Sequence, residues 1–141
     1  MEIRGLGDGL DVTALGLGLM GMSGVYGPAD DDESVATIRA ALDAGVTLFD
    51  NAEAYGAGHS EEVLGRALAG RRHEALVTTK FGLTFRNGVM GEDGSPATVK
   101  GSLEASLRRL QTDHVDVYFQ HRVDLDTPIE ETVGAMAELV A

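Results

Sequence analysis

No cysteine occurs among the 141 residues, which excludes disulfides, thiolate metal sites and thiol catalysis. No apolar run approaches the roughly twenty residues needed to cross a bilayer as a helix. The opening residues Met1-Glu2-Ile3-Arg4 carry no apolar stretch of signal-peptide length, so a cytoplasmic location is the expectation. Positive charge is scarce as well: 11 Lys and Arg stand against 23 Asp and Glu, for a net charge of -12. Such a field repels polyanions and offers no basic stripe for a phosphate backbone, so nucleic acid is not an expected partner. Beyond the short Arg71-Arg72-His73 run there is no cationic cluster that would favour a phosphorylated ligand. No His/Asp/Glu spacing suggests a metal site, and no Pro/Gly/Ser linker divides the chain. With ordinary apolar and charged fractions, residues 1–141 read as one domain.

What is present is a repeated unit: a short apolar run, a polar or Gly-rich loop, then an amphipathic helix. The first run is Val12 to Met20, after an opening segment with Gly5, Gly7 and Gly9. Its helix spans about Asp32 to Ala44, with Val35, Ile38 and Leu42 on one face and Gly45 as its stop. Val46 to Phe49 is the second run. Ser60 is the expected cap of the next helix, whose buried stripe is Val63, Leu64, Ala67 and Leu68 before Gly70 ends it. Ala75 to Thr79 is the third run. Ser95-Pro96 supplies a cap and a proline at the first helical position, and Val99, Leu103, Leu107 and Leu110 follow at helical spacing. Val115 to Phe119 is the fourth run. Thr127-Pro128-Ile129-Glu130 has capping-box spacing, and Ile129, Val133, Met136 and Val140 form the apolar face of the last helix. Strands that alternate with helices imply right-handed crossovers and a parallel sheet, either open and doubly wound or part of a closed barrel.

Gly16-Leu17-Gly18-Leu19-Met20-Gly21 matches the G-x-G-x-x-G pattern after a strand. A dinucleotide-binding turn, however, needs a helix to begin within the motif so that its amides meet the pyrophosphate. Ser23-Gly24-Val25-Tyr26-Gly27-Pro28 follows instead, and that density of glycine beside proline makes a loop. The motif therefore reads as a strand with small residues where side chains crowd.

Three ionisable residues stand where apolar runs end: Asp50, Lys80 and His121. In a parallel barrel all strand C-termini open on one face, so these side chains would meet around one mouth. Tyr55 lies in the Ala- and Gly-rich loop after Asp50, which could fold it over the same mouth. Each has a plain structural explanation: a turn cap for Asp50, a solvent-seeking Lys80, a surface His121, a Tyr55 packed on its loop. Together they form a plausible proton-delivery set.

Leu48-Phe49-Asp50-Asn51-Ala52-Glu53-Ala54-Tyr55-Gly56 resembles the signature of the aldo/keto reductase family. So do Ser60-Glu61-Glu62-Val63-Leu64-Gly65, Thr78-Thr79-Lys80-Phe81-Gly82 and Asp116-Val117-Tyr118-Phe119-Gln120-His121-Arg122. The resemblance runs from Ile3 to Val140. It implies a (β/α)8 TIM-barrel fold, here about the first four βα units behind a short hairpin-like segment that closes the barrel bottom. Residues 1–141 would then be the first half of the barrel domain.

The resemblance also implies chemistry, the NADPH-dependent reduction of an aldehyde or ketone to an alcohol. Asp50, Tyr55, Lys80 and His121 match the family's catalytic tetrad. Tyr55 would donate the proton to the nascent alkoxide. A free phenol, with a pKa near 10, is too weak an acid for that task unless a cation such as Lys80 stabilises its phenolate. Asp50 would hold Lys80, and His121 would bond the carbonyl oxygen. Leu19, Met20 and Asp50 would lie near the cofactor. Asn51 stands where the family pattern has Thr. The family's later strands carry the groups that grip the nicotinamide and the ribose phosphate, so the expected partners are a small carbonyl compound and a complementing C-terminal half-barrel, with self-association of the open strand edges as another outcome. Two further readings are a cofactor-sensing regulatory subunit similar to the channel-associated β-subunits, and a non-catalytic fragment.

Overall fold

The computed structural model describes residues 1–7, 9–86 and 88–140. The chain opens with an antiparallel hairpin, β1 (Ile3–Gly7) and β2 (Leu10–Thr13). Four parallel strands follow: β3 (Gly16–Gly18), β4 (Leu48–Asp50), β5 (Leu76–Phe81) and β8 (Val117–Gln120), ordered β3-β4-β5-β8. The connections carry α1 (Asp31–Asp43), α2 (His59–Ala67) and α3 (Pro96–Leu110), and α4 (Ile129–Ala137) follows β8. Between β5 and α3 lies a second hairpin, β6 (Leu83–Arg86) and β7 (Val89–Glu92). Among the described residues β3 and β8 each have a strand neighbour on one side only. No helix among them is long and apolar enough to cross a membrane.

The run read as one strand from Val12 to Met20 is broken. Thr13 turns the chain, its hydroxyl donating to the Leu15 carbonyl (2.8 Å), and β2 and β3 join different sheets. Thr13 and Thr47 exchange bonds from backbone N–H to side-chain oxygen, 3.0 Å each, which seats the first hairpin at the start of β4. Met20 to Ser23 form a single 3-10 turn where the G-x-G-x-x-G match would have demanded a full helix.

Two expected helix starts are corrected. α2 is entered at Gly58 (φ +94°), not at Ser60. Ser60 lies inside the first turn, and its hydroxyl donates to the Leu19 carbonyl (3.1 Å), tying α2 to the end of β3. α4 begins after Pro128 without a side-chain cap, because Thr127 spends its hydroxyl on Asp124 Oδ2 (2.7 Å). The other two starts follow the rules: Asp30 accepts from the Glu33 N–H (2.8 Å) and Ser95 from the Thr98 N–H (3.4 Å), with Pro96 opening α3.

The helices pack on one side of the sheet. Phe49 and Val77 meet Ile38, Leu64, Ala67 and Leu110 there, all buried. Burying a large aliphatic or aromatic side chain is worth about 1.5–3 kcal/mol, so this layer dominates the stabilising terms. α2 and α3 cross closely at Gly65: a Cβ there would lie 2.8 Å from the carbonyl oxygens of Arg109 and Leu110. The face expected to bury α4 does not. Ile129, Val133 and Val140 are exposed, whereas Thr132 and Ala135 are buried and only Met136 of the expected set packs on Phe81 and Val99. Among the described residues β8 is an edge strand, and no further βα unit covers the far side of α4.

Candidate active site

Parallel strands put their C-termini on one rim, and three of the four bring a polar residue there. Asp50 ends β4, Lys80 is the penultimate residue of β5, and His121 follows β8. The register sets Asp50 beside Thr78 and Lys80 beside Phe119. The loop after Asp50 turns back across the rim, with Gly56 (φ +62°) and Gly58 in a backbone region that favours glycine. That return carries Tyr55 over Lys80.

Lys80 Nζ lies 2.8 Å from both carboxylate oxygens of Asp50, 2.7 Å from the Asn51 carbonyl and 3.4 Å from the Tyr55 hydroxyl. It stands 5.1 Å from the centre of the Tyr55 ring. An ammonium has three donors and no acceptor. In its contact with Tyr55 the phenol oxygen is therefore the acceptor, and the phenol's own proton stays free for another partner. Asp50 is fixed from behind by the Thr78 hydroxyl, which donates to Oδ1 (2.8 Å). The imidazole of His121 meets Tyr55 edge-on, ring centres 6.0 Å apart and planes at 86°.

Burial, and then the charges of Lys80 and Arg122, hold the His121 imidazole below the usual histidine range, with Asp50 opposing. It is neutral near pH 7 and carries a single N–H. Its Nδ1 is buried and has no hydrogen-bond partner among the described residues. Below the rim lies an open apolar cavity of about 490 Å³, lined by Leu6, Leu48, Val117 and Phe119 with Asp50 and Thr78 at its polar edge.

Of the residues expected near a cofactor, Asp50 faces the mouth. Leu19 is fully buried in the helix-side core, so its side chain lines the layer under β3 rather than the rim. Its backbone remains at the rim, the Leu19 N–H donating to the Asp50 carbonyl (3.0 Å). Met20, half-buried, opens the adjoining turn. Asn51 is wholly buried; Oδ1 accepts from the Ala52 N–H (2.9 Å), and Nδ2 has no partner among the described residues.

Beneath the rim is a second polar group that the sequence pattern did not single out. Glu61, in the first turn of α2, is fully buried. It accepts from the Thr79 hydroxyl (2.5 Å) and pairs with Arg109 Nε of α3 (2.6 Å). Thr79 is the residue before Lys80, so this pair braces the strand that carries the cation. One cue was present: Glu61 shares a helical stripe with Leu64 and Leu68, where a carboxylate needs a partner. Among the described residues no group of three His, Asp or Glu could hold a metal ion.

A sequence model described as the aldo/keto reductase family matches residues 14–141. The aldo-keto reductase YhdN of Bacillus subtilis is 41% identical over 143 residues, covering 99% of this chain and 43% of that protein. A probable aldo-keto reductase of Glycine max is 41% identical over 135 residues, covering 94% of this chain and 39% of its own length. The holo form of an aldo-keto reductase from Bacillus halodurans superimposes with a TM-score of 0.88 at 37% identity, covering 99% of this chain and 46% of that one. A Klebsiella pneumoniae aldo/keto reductase in complex with NADP and acetate gives 0.78 at 38% identity, with 95% and 44% covered. The chain thus spans less than half the length of these relatives.

Proposed function

This chain belongs to the aldo/keto reductase family, and from that premise we propose that it carries the proton-delivery centre of an NADPH-dependent reductase of aldehydes or ketones. Its four βα units are the first part of a (β/α)8 barrel. The observation that carries the reading is the saturated Lys80 ammonium, bonded to Asp50, to the Asn51 carbonyl and to the Tyr55 oxygen. A cation in that position stabilises the negative charge that develops on a phenol as it gives up its proton.

When bound, a reduced nicotinamide supplies the hydride. The residues present suit its reacting end: a phenol, an ammonium and a neutral imidazole meet at one rim, a donor set matched to an oxygen that gains negative charge. Asp50, Tyr55 and His121 would border it, with Met20 at the rim. The neutral His121 N–H bonds the carbonyl oxygen and turns it toward Tyr55. Tyr55 then passes its proton to that oxygen, while Lys80, held by Asp50, stabilises the charge left on the ring. Asp50 is half-exposed and Lys80 mostly buried, so the cation acts on the phenol in a setting partly shielded from water.

The Klebsiella relative is described with NADP, and that cofactor is the one proposed here. A small carbonyl compound is the proposed substrate. The test joins this chain, in one polypeptide, to the C-terminal part of YhdN and follows NADPH consumption with a panel of aldehydes. Tyr55→Phe should slow reduction by roughly a hundred- to ten-thousand-fold, the loss of a general acid, with cofactor affinity unchanged. Lys80→Met should act on the same step, and the double variant should cost far less than the two losses combined. Near-parental turnover by the phenylalanine variant would remove Tyr55 from the mechanism.

A further inference from the structure

The loop that carries Tyr55 is built of turns. Asn51 ties its start to β5, its N–H donating to the Thr78 carbonyl (3.1 Å) and its carbonyl accepting from Lys80 Nζ, and Glu53 adds the hold nearest Tyr55. The Glu53 N–H donates to the Lys80 carbonyl (3.2 Å). Its Oε1 accepts from the Gly82 N–H (3.0 Å). One residue thus grips the end of β5 on both sides of Phe81, whose carbonyl accepts from the His121 N–H (2.9 Å). Gly82 (φ +93°) is where the chain leaves β5, and the carboxylate takes the place of the strand partner that its N–H would otherwise need.

Nothing in the proton-delivery scheme uses that carboxylate, yet it is held in a costly setting. Burial pushes the Glu53 carboxyl above the usual range, the Gly82 N–H and the Ser102 hydroxyl draw it down, the Glu61 charge raises it and Arg109 lowers it. The charged and titratable groups that face it are Glu61 of α2, Arg109 of α3 and Tyr118 of β8. Arg109 is committed to Glu61 at 2.6 Å. Tyr118 is kept neutral by burial and donates to the Val99 carbonyl (3.0 Å). Among the described residues Glu53 is therefore the acid of this cluster without a cation paired to it, Arg109 acting on it only from its pair with Glu61.

We infer that Glu53 is a positioning residue of the reductase centre, holding the Tyr55 phenol against the Lys80 ammonium through its two bonds to β5. The inference rests on the reading of Tyr55 and Lys80 as the proton-delivery pair. An ionised carboxylate makes a hydrogen bond about twice as strong as a neutral one. Uptake of a proton by Glu53 therefore loosens the grip on Gly82 and shifts the Tyr55 ring. The centre is tightest above the Glu53 transition and slackens below it.

The test is NMR of the chain itself, with labelled backbone amides and tyrosine rings, titrated from about pH 8 to about pH 4 without cofactor or substrate. The Gly82 amide and the Tyr55 ring should move together, with one midpoint above the ordinary glutamate value of about 4.3. Glu53→Gln should abolish that shared inflection, while the separate transition of His121 persists and serves as a reference. Glu53→Ala should displace both signals at every pH. It should also speed hydrogen exchange at the Gly82 amide about tenfold, the equivalent of ~1.4 kcal/mol for one hydrogen bond. If the alanine variant fails to fold, the glutamine variant decides alone. A Tyr55 ring that ignores the Gly82 transition, or a glutamine variant that keeps the inflection, would overturn the inference. Because no turnover is measured, a failed aldehyde assay sinks the reductase reading without touching this result.

Discussion

Replacing Arg109 by methionine strips the partner from a carboxylate that has no access to water. The Glu61 side chain is 0% exposed and that of Arg109 is 23% exposed. Removing one member of a buried pair costs about 3–5 kcal/mol, because the other charge stays buried and uncompensated. The partial exposure of Arg109 and the bond from Thr79 to Glu61 set the expectation at the lower end, about 3 kcal/mol. With an unfolding entropy of roughly 2 cal/mol/K per residue, a chain of 141 residues has about 0.3 kcal/mol/K in all, so the melting temperature should fall by about 10 °C. Urea unfolding followed by circular dichroism measures the loss directly. Glu61→Met in the same chain should restore most of it, leaving a deficit of about 1 kcal/mol because the Thr79 hydroxyl then lacks its acceptor. A single variant within ~1 kcal/mol of the parent, or a double variant that loses the sum of both changes, would refute the reasoning.

Two further outcomes follow from the geometry. Gly65→Ala forces a methyl group to 2.8 Å from two backbone carbonyl oxygens, so it should destabilise by about 2 kcal/mol in the same urea assay; an unchanged midpoint would mean that α2 and α3 do not cross there. His121 is held below its usual range, so its contribution to stability is complete above about pH 6.5 and is lost as the pH falls through the lower folded value. His121→Gln should flatten the decline of the melting temperature between about pH 7 and pH 5, and an unaltered slope would count against the burial of the ring.

The unit pattern and the polar strand ends were legible because both follow from periodicity. A parallel strand exposes its last residue at one rim, and Asp50, Lys80 and His121 announce themselves by interrupting apolar runs. Tyr55 required the loop to fold back, which the glycines permit but do not dictate. The helix starts at Ser60 and Thr127 were misread because a hydroxyl chooses among all acceptors within reach: Ser60 turns to the Leu19 carbonyl, 41 residues back, and Thr127 to Asp124 Oδ2 in the loop before it rather than to the helix after it. The second hairpin escaped because Leu83 to Glu92 carries no long period. Glu61 and Arg109 stand 48 residues apart, a separation no local pattern can bridge. For Leu19 the sequence placed the backbone near the rim but could not tell that the side chain is buried in the helix-side core.

β5 is the strand to which every member of the proton-delivery group is tied: it carries Lys80, bonds Asp50 through Thr78, is gripped by the Tyr55 loop, and accepts from His121. The sequence separations are modest, 28 residues for Asp50 and Thr78 and 30 for Asp50 and Lys80. A ribosome adding about 5–20 residues per second would deliver the stretch from Asp50 to His121 in roughly ten seconds. The same contiguity matters over generations. A recombination event that falls before residue 50 or after residue 121 moves the whole group as one block, and only a break inside that stretch can separate the cation from its phenol.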